Sequence, residues 1–207
     1  MKMISMEKII EAQVNMVEIA DALRSGQTLI YPTETCYGLG CDASNSDAVE
    51  KIFAIKGRDK QKPCIVLFKD IDTVKKYAVL DPAVEEKILP HWPGSLTVVL
   101  PVQPNTNLSS LVISSEGKIA CRISPHPFIQ NLLHVFDGPL VSTSANFAGA
   151  PNIYTSEEIV EVFTEKNSSP NIFVDAGSLP PTPPSTIIEV EGETVKVLRQ
   201  GEVIISS

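Results

Sequence analysis

No stretch of this 207-residue chain is apolar for long enough to cross a bilayer as a helix. The first ten residues carry Glu7 and Lys8 inside their apolar stretch, so they lack the core of a secretion signal. A soluble, cytoplasmic protein with no membrane partner is the expectation. The four cysteines, Cys36, Cys41, Cys64 and Cys121, form no C-x-x-C and have no histidines at zinc spacing, so no dedicated metal site is expected. Cys64 and Cys121 sit in apolar runs and read as buried thiols. There is no G-x-x-x-x-G-K-[ST] loop and no G-x-S-x-G elbow, which excludes a P-loop enzyme and an evident serine hydrolase. His91, His126 and His134 are isolated, and no carboxylate pair stands out as an acid–base couple. Aromatics are only 6% of the chain and the net charge is −8. Together these argue against a base-stacking platform and against a broad basic face for duplex nucleic acid. Internal repeats and low-complexity linkers are missing too, so residues 1–207 are expected to form a single domain.

What the chain does contain is a local concentration of positive charge. Lys56, Arg58, Lys60 and Lys62 fall within Lys56–Pro63, between an apolar helical pattern and an apolar strand. Cations complement a helix C-terminus, which accounts for one or two of them. Four repel one another unless an anion or carboxylates lie nearby. The alternative is a polyanion site such as the phosphates of a nucleotide, with Arg58 as a fork and the lysines as point charges. With no acid–base couple in view, the chemistry would rest on positioning and charge stabilisation, as in phosphoryl and nucleotidyl transfer.

Around that cluster, periodicity predicts alternating strands and helices. A short strand is expected over Ile9–Val14, then a helix capped by Asn15 with Glu18 as its capping-box partner. Thr28–Tyr31 reads as a strand running into the polar segment Pro32–Gly40. Gly38-x-Gly40-x-x-Ala43 matches a dinucleotide fingerprint weakly. Six residues separate it from its strand, and the place for a ribose-binding acid falls in the basic cluster. Close backbone packing explains those glycines better. Helices are expected from Ser46, from Asp70 or Asp72, from Asp81-Pro82, from Pro125-His126-Pro127 and from Thr155 or Ser156. Strands are expected over Cys64–Phe68, Leu96–Val102, Lys118–Ile123, a stretch centred on Leu140-Val141, and Ile172–Val174, with a final hairpin over Ser185–Val190 and Thr194–Leu198. Gln103–Ser115 reads as a surface loop. His134, in an amphipathic helix, reads as structural. The fold class is α/β with a mixed sheet.

Five segments in order carry a resemblance: Pro32-Thr33-Glu34-Thr35-Cys36-Tyr37-Gly38-Leu39-Gly40, Lys56-Gly57-Arg58, Trp92-Pro93-Gly94-Ser95-Leu96-Thr97, Ser144-Ala145-Asn146 and Pro184-Ser185-Thr186-Ile187-Ile188. The chain resembles the YrdC-like family of threonylcarbamoyl-AMP synthases, in its short single-domain form. That resemblance implies a twisted mixed parallel and antiparallel sheet with helices around a basic cavity. It implies a nucleotidyltransferase that joins L-threonine, bicarbonate or CO2, and ATP into threonylcarbamoyl-AMP and pyrophosphate, for the t6A modification of tRNA.

Carried over residue by residue, the resemblance implies that Lys56 and Arg58 are catalytic and contact ATP phosphates. Lys60, Ser144, Asn146 and Ser185 would complete the ATP site. Thr33, Arg122 and Ser142 would hold L-threonine, with Arg122 on its carboxylate. Mg2+ would arrive with the nucleotide, and transient contact with tRNA or the downstream t6A transferase machinery is a further expectation. The chain departs from the family pattern at Asp59-Lys60-Gln61-Lys62 and at Ser95, where proline is usual. Two other readings stay open on the residues alone: a non-catalytic RNA-binding module using the same basic loop, and a paralogous enzyme adenylating another carbamate.

Overall fold

The computed structural model describes residues 1–5, 13–164, 169–191 and 194–205. Its centre is made by the continuously apolar runs. β2 (Leu29–Pro32) and β3 (Tyr37–Gly40) are buried at every position. Such strands need cover on both faces, and the alternation of side chains supplies it. Leu29 and Tyr31 point into one core and Ile30 into the other. The same switch separates Val66 from Leu67, Val141 from Leu140, and Phe173 from Ile172 and Val174.

These strands belong to a ten-stranded sheet. The other members are β1 (Lys2–Ser5), β4 (Ile65–Leu67), β5 (Leu96–Pro101), β6 (Lys118–Arg122), β7 (Leu140–Ser144), β8 (Ile172–Asp175), β9 (Thr186–Glu191) and β10 (Thr194–Arg199). Their spatial order is β1-β8-β2-β3-β7-β4-β6-β5-β9-β10. Parallel pairs (β1 with β8, β8 with β2, β4 with β6, β5 with β9) occur among antiparallel ones, so the sheet is mixed as expected. β9 and β10 form the expected hairpin.

Among the described residues, six helices cover the two faces. α1 (Gln13–Arg24) and α5 (Pro127–Phe136) lie over one; Ile19, Leu23, Phe128, Leu132 and Leu133 close that core. α2 (Ser46–Lys56), α3 (Ile71–Tyr77), α4 (Pro82–Ile88) and α6 (Ser156–Thr164) contribute Val49, Ile52, Val74, Ile88 and Phe163 to the larger core on the other. Among the described residues no helix is long and apolar enough to cross a membrane.

Local chemistry set most boundaries. Asn45 caps α2 by accepting from the Ala48 amide, Asp70 caps α3, and Asp81 with Pro82 opens α4. Gly40 packs where an added Cβ would lie 2.1 Å from the Val141 carbonyl oxygen, so backbone approach explains this glycine and no helix opens from it. Three expectations need correction. The strand expected over Ile9–Val14 falls partly outside the described residues, and Val14 and Asn15 lie inside α1, which starts at Gln13. β1 was not foreseen. The loop after β5 is not merely superficial: Leu108 is buried in the larger core, and so is Val112, which a 3-10 turn at Ser110–Val112 turns inward.

Candidate active site

Strand ends, loop hydroxyls and three arginines converge on one cavity of about 210 Å³. Of the nine residues expected at the site, Thr33, Arg58, Arg122, Ser142, Ser144 and Ser185 line it. Lys56, Lys60 and Asn146 do not. Lys60, on the exposed loop, is ion-paired with Glu50, which offsets its charge at the surface.

Lys56 and Arg58 are two residues apart and face different surroundings. Gly57, with φ +59, takes the left-handed conformation that ends α2; its amide and that of Arg58 bond back to Ala54 and Phe53. Lys56 therefore stays with the buried face of the helix and is 3% exposed. Its ammonium donates to Ser144 O (2.5 Å), Asn146 O (2.7 Å) and Asn146 Oδ1 (2.9 Å). Three acceptors saturate it. Burial, and then the charge of Arg58, pulls the Lys56 pKa down to about 8. Asn146 is equally committed. Its Nδ2 donates to Ala150 O and Pro151 O, and its Oδ1 also accepts from Ser144 Oγ. Lys56 and Asn146 thus shape the loop after β7, whose strand end presents Ser142, Thr143 and Ser144 to the cavity.

Beyond Gly57 the chain turns outward and Arg58 enters the cavity wall. Its Nε and Nη2 donate to the carbonyls of Lys62 and Pro63 at 2.8 and 3.2 Å, which orient the guanidinium without neutralising it. The Thr33 hydroxyl organises its own turn. It accepts from the amides of Thr35 and Cys36 and donates to Cys36 O at 2.7 Å.

Arg122 leaves the end of β6 and is 7% exposed. Its Nε donates to Gly94 O at 3.1 Å and its Nη2 to Glu34 Oε1, while Ser124 Oγ donates to Glu34 Oε2 at 2.6 Å. Beside this pair, the Nδ1 of His126 is buried without a partner among the described residues. Burial lowers the His126 pKa, with the Glu34 charge acting the other way.

Ser185 is 2% exposed and shares a hydrogen bond with the Thr97 hydroxyl at 3.0 Å. Arg199, from the end of β10, donates from Nε and Nη2 to Ser185 O and from Nη2 to Ser185 Oγ. Burial first, and then the charges of Arg122 and Arg58, lowers its pKa. Arg199, Glu34, Ser124 and Asn152 line the cavity although no motif or spacing had singled them out as site residues. Cys36 and Cys64 also line the cavity, where burial raises both thiols and keeps them neutral. Among the described residues no group of three or more His, Cys, Asp or Glu is arranged to hold a metal ion.

Among the described residues the cavity lining therefore carries three arginines against one glutamate, in a chain of net charge −8. A wall of this kind suits an anionic ligand with several phosphate or carboxylate oxygens. Comparison with known proteins agrees with that chemistry. The Sua5–YciO–YrdC family model, described as telomere recombination, matches residues 21–201. A threonylcarbamoyl-AMP synthase of Photobacterium profundum is 38% identical over 148 residues, 70% of this chain and 79% of that protein. P. abyssi Sua5, solved in complex with L-threonine, superposes with a TM-score of 0.83 at 27% identity over 92% of this chain; the match spans 55% of the Sua5 chain. E. coli YciO superposes with a TM-score of 0.82 at 23% identity, over 92% of this chain and 90% of its own, a likeness of fold.

Proposed function

The chain belongs to the Sua5–YciO–YrdC family, and on that premise we propose that it is an L-threonylcarbamoyladenylate synthase serving the t6A modification of tRNA. The observation that carries the reading is the meeting of Arg58, Arg122 and Arg199 on one cavity. Their charges bear on one another, and a polyanion such as the ATP phosphates relieves that repulsion. Arg58, Arg199, Ser144 and Ser185 supply donors for the nucleotide. Arg122, with Thr33 and Ser142 beside it, receives the threonine carboxylate. The threonine nitrogen, once its ammonium has given up a proton to solvent, adds to CO2 with loss of a second proton, or condenses with bicarbonate with loss of water; an oxygen of the resulting carbamate displaces pyrophosphate from the α-phosphorus of ATP. The arginines stabilise negative charge as it shifts to the leaving pyrophosphate. Lys56 acts through the loop after β7 that it holds.

Mg2+ enters on the ATP phosphates in this reading. The one cavity carboxylate, Glu34, is tied to Arg122 and Ser124, so the hydroxyl-rich lining fits an ion already carried by phosphate oxygens. Transient contact with tRNA, or with the transferase machinery that consumes the adenylate, belongs to the same reading. The test is pyrophosphate release from ATP and bicarbonate with each of the twenty amino acids. Release dependent on threonine alone supports the assignment; release with a different amine, or with none, overturns it.

A further inference from the structure

Glu34 is the one carboxylate among the described residues that line the cavity, and it lies against the arginine that the substrate carboxylate needs. Resting on the reading above, the geometry points to Glu34 as the group that receives the α-ammonium of the amino-acid substrate, so that this end of the cavity selects a zwitterion and rejects simple carboxylates.

The argument is one of charge balance in a wall with little water. The Arg122 and Glu34 side chains are 9% and 17% exposed. Each is fixed from a second side, Arg122 Nε by Gly94 O and Glu34 Oε2 by Ser124 Oγ, so neither swings freely away. Arg122 Nη1 has no hydrogen-bond partner among the described residues, which leaves one edge of the guanidinium open to a ligand. One arginine and one glutamate sum to zero. A carboxylate arriving alone on that open edge places two anions on one cation and leaves the pair at −1, which burial penalises. A cationic amine arriving alone leaves it at +1. An α-amino acid brings both charges on one carbon and keeps the sum at zero, its carboxylate on Arg122 and its ammonium on Glu34.

Calorimetric titration of the wild-type protein with L-threonine, with 2,3-dihydroxybutanoate, in which a hydroxyl replaces the ammonium, and with threoninol, in which the carboxylate is reduced, tests this. Threonine should bind about 100-fold or more tighter than either analogue, since each leaves one buried charge uncompensated. In Glu34→Gln the threonine affinity should fall about 10- to 100-fold while the hydroxy acid binds more tightly than to wild type. Equal affinities of wild type for threonine and the hydroxy acid overturn the inference without recourse to any variant. So does a Glu34→Gln protein whose preference between the two is unchanged. Failure of the wild type to bind any amino acid overturns the parent reading, and this one with it.

Discussion

The arginines of the cavity are held in opposite ways. Arg58 is oriented by two backbone carbonyls of its own loop, and Arg199 by the carbonyl and hydroxyl of Ser185. Arg122 is oriented by a carbonyl and by the carboxylate of Glu34. Carbonyls fix a guanidinium but leave its charge in place; a carboxylate fixes it and offsets its charge. Arg58 and Arg199 therefore keep a positive field for a ligand of high negative charge. Arg122 paired with Glu34 sums to zero and suits a ligand that is neutral overall. In this chain, ligand class is written less in which cations are present than in what holds each one.

Removing the arginine proposed for the ATP phosphates should give the largest effect. Arg58→Ala should lower turnover by about 100- to 1000-fold, the range for removing a donor that stabilises developing charge. The melting temperature should hardly move, because only two loop hydrogen bonds are lost. Steady-state pyrophosphate release at saturating ATP, beside a thermal melt, reads both. Full turnover would remove Arg58 from the phosphate site.

Lys56 distinguishes a ligand contact from a wall that shapes the site. Lys56→Met strands the acceptors Ser144 O, Asn146 O and Asn146 Oδ1 in a buried loop. The cost is roughly 2–4 kcal/mol, and a domain of this size loses about 2–4 °C of melting temperature per kcal/mol. Activity should fall together with stability. A variant that melts like wild type and yet is inactive would return Lys56 to direct phosphate contact, the role its motif implies.

The arginine proposed for the threonine carboxylate should break separately. Arg122→Lys should weaken threonine binding by about 10- to 100-fold, equivalent to roughly 1.5–3 kcal/mol. Lysine cannot span Gly94 O, Glu34 and a ligand carboxylate with one planar fork. ATP affinity should change little. Calorimetry with each ligand alone checks the separation, and equal loss for both would merge the two roles into one.

These contrasts mark how far the sequence could be read. The helix starts at Asn45, Asp70 and Asp81 were legible or nearly so, because a cap bonds residues two or three positions away. The burial of Lys56 had a signal in the sequence: it follows Ile52 by four residues and Phe53 by three, which puts it on the buried face of α2. Its cationic neighbours suggested exposure instead. Glu34 and Arg199 carried no such signal. Glu34 meets Arg122 across 88 residues, and Arg199 reaches the cavity only because the β9–β10 hairpin closes the sheet beside β5. Pairings of that length depend on strand order, which no local pattern encodes.

The smallest expected effect bears on whether Glu34 is as fully offset as the comparison requires. His126 stands beside it as the N-cap residue of α5, with a half-buried ring. Burial holds the ring's pKa below its usual value, while the Glu34 charge pulls it up. Burial is the larger of the two influences, and the Arg122 guanidinium paired with Glu34 offsets part of the carboxylate's charge. With the folded pKa depressed below an unfolded value of about 6.5, the unfolded chain takes up the proton first as pH falls. Stability should therefore decline below about pH 6.5 and level off only under the folded pKa. His126→Phe removes the titration and the unpartnered Nδ1 together. Urea unfolding at about pH 7 and about pH 5 should show wild type losing more stability than the variant, by under about 1 kcal/mol because the ring is partly solvated. Were the sign reversed, with wild type gaining on the variant at the lower pH, the imidazolium would be favoured in the fold. Glu34 would then carry a charge that Arg122 does not cancel, and the pair would not sum to zero as the comparison requires.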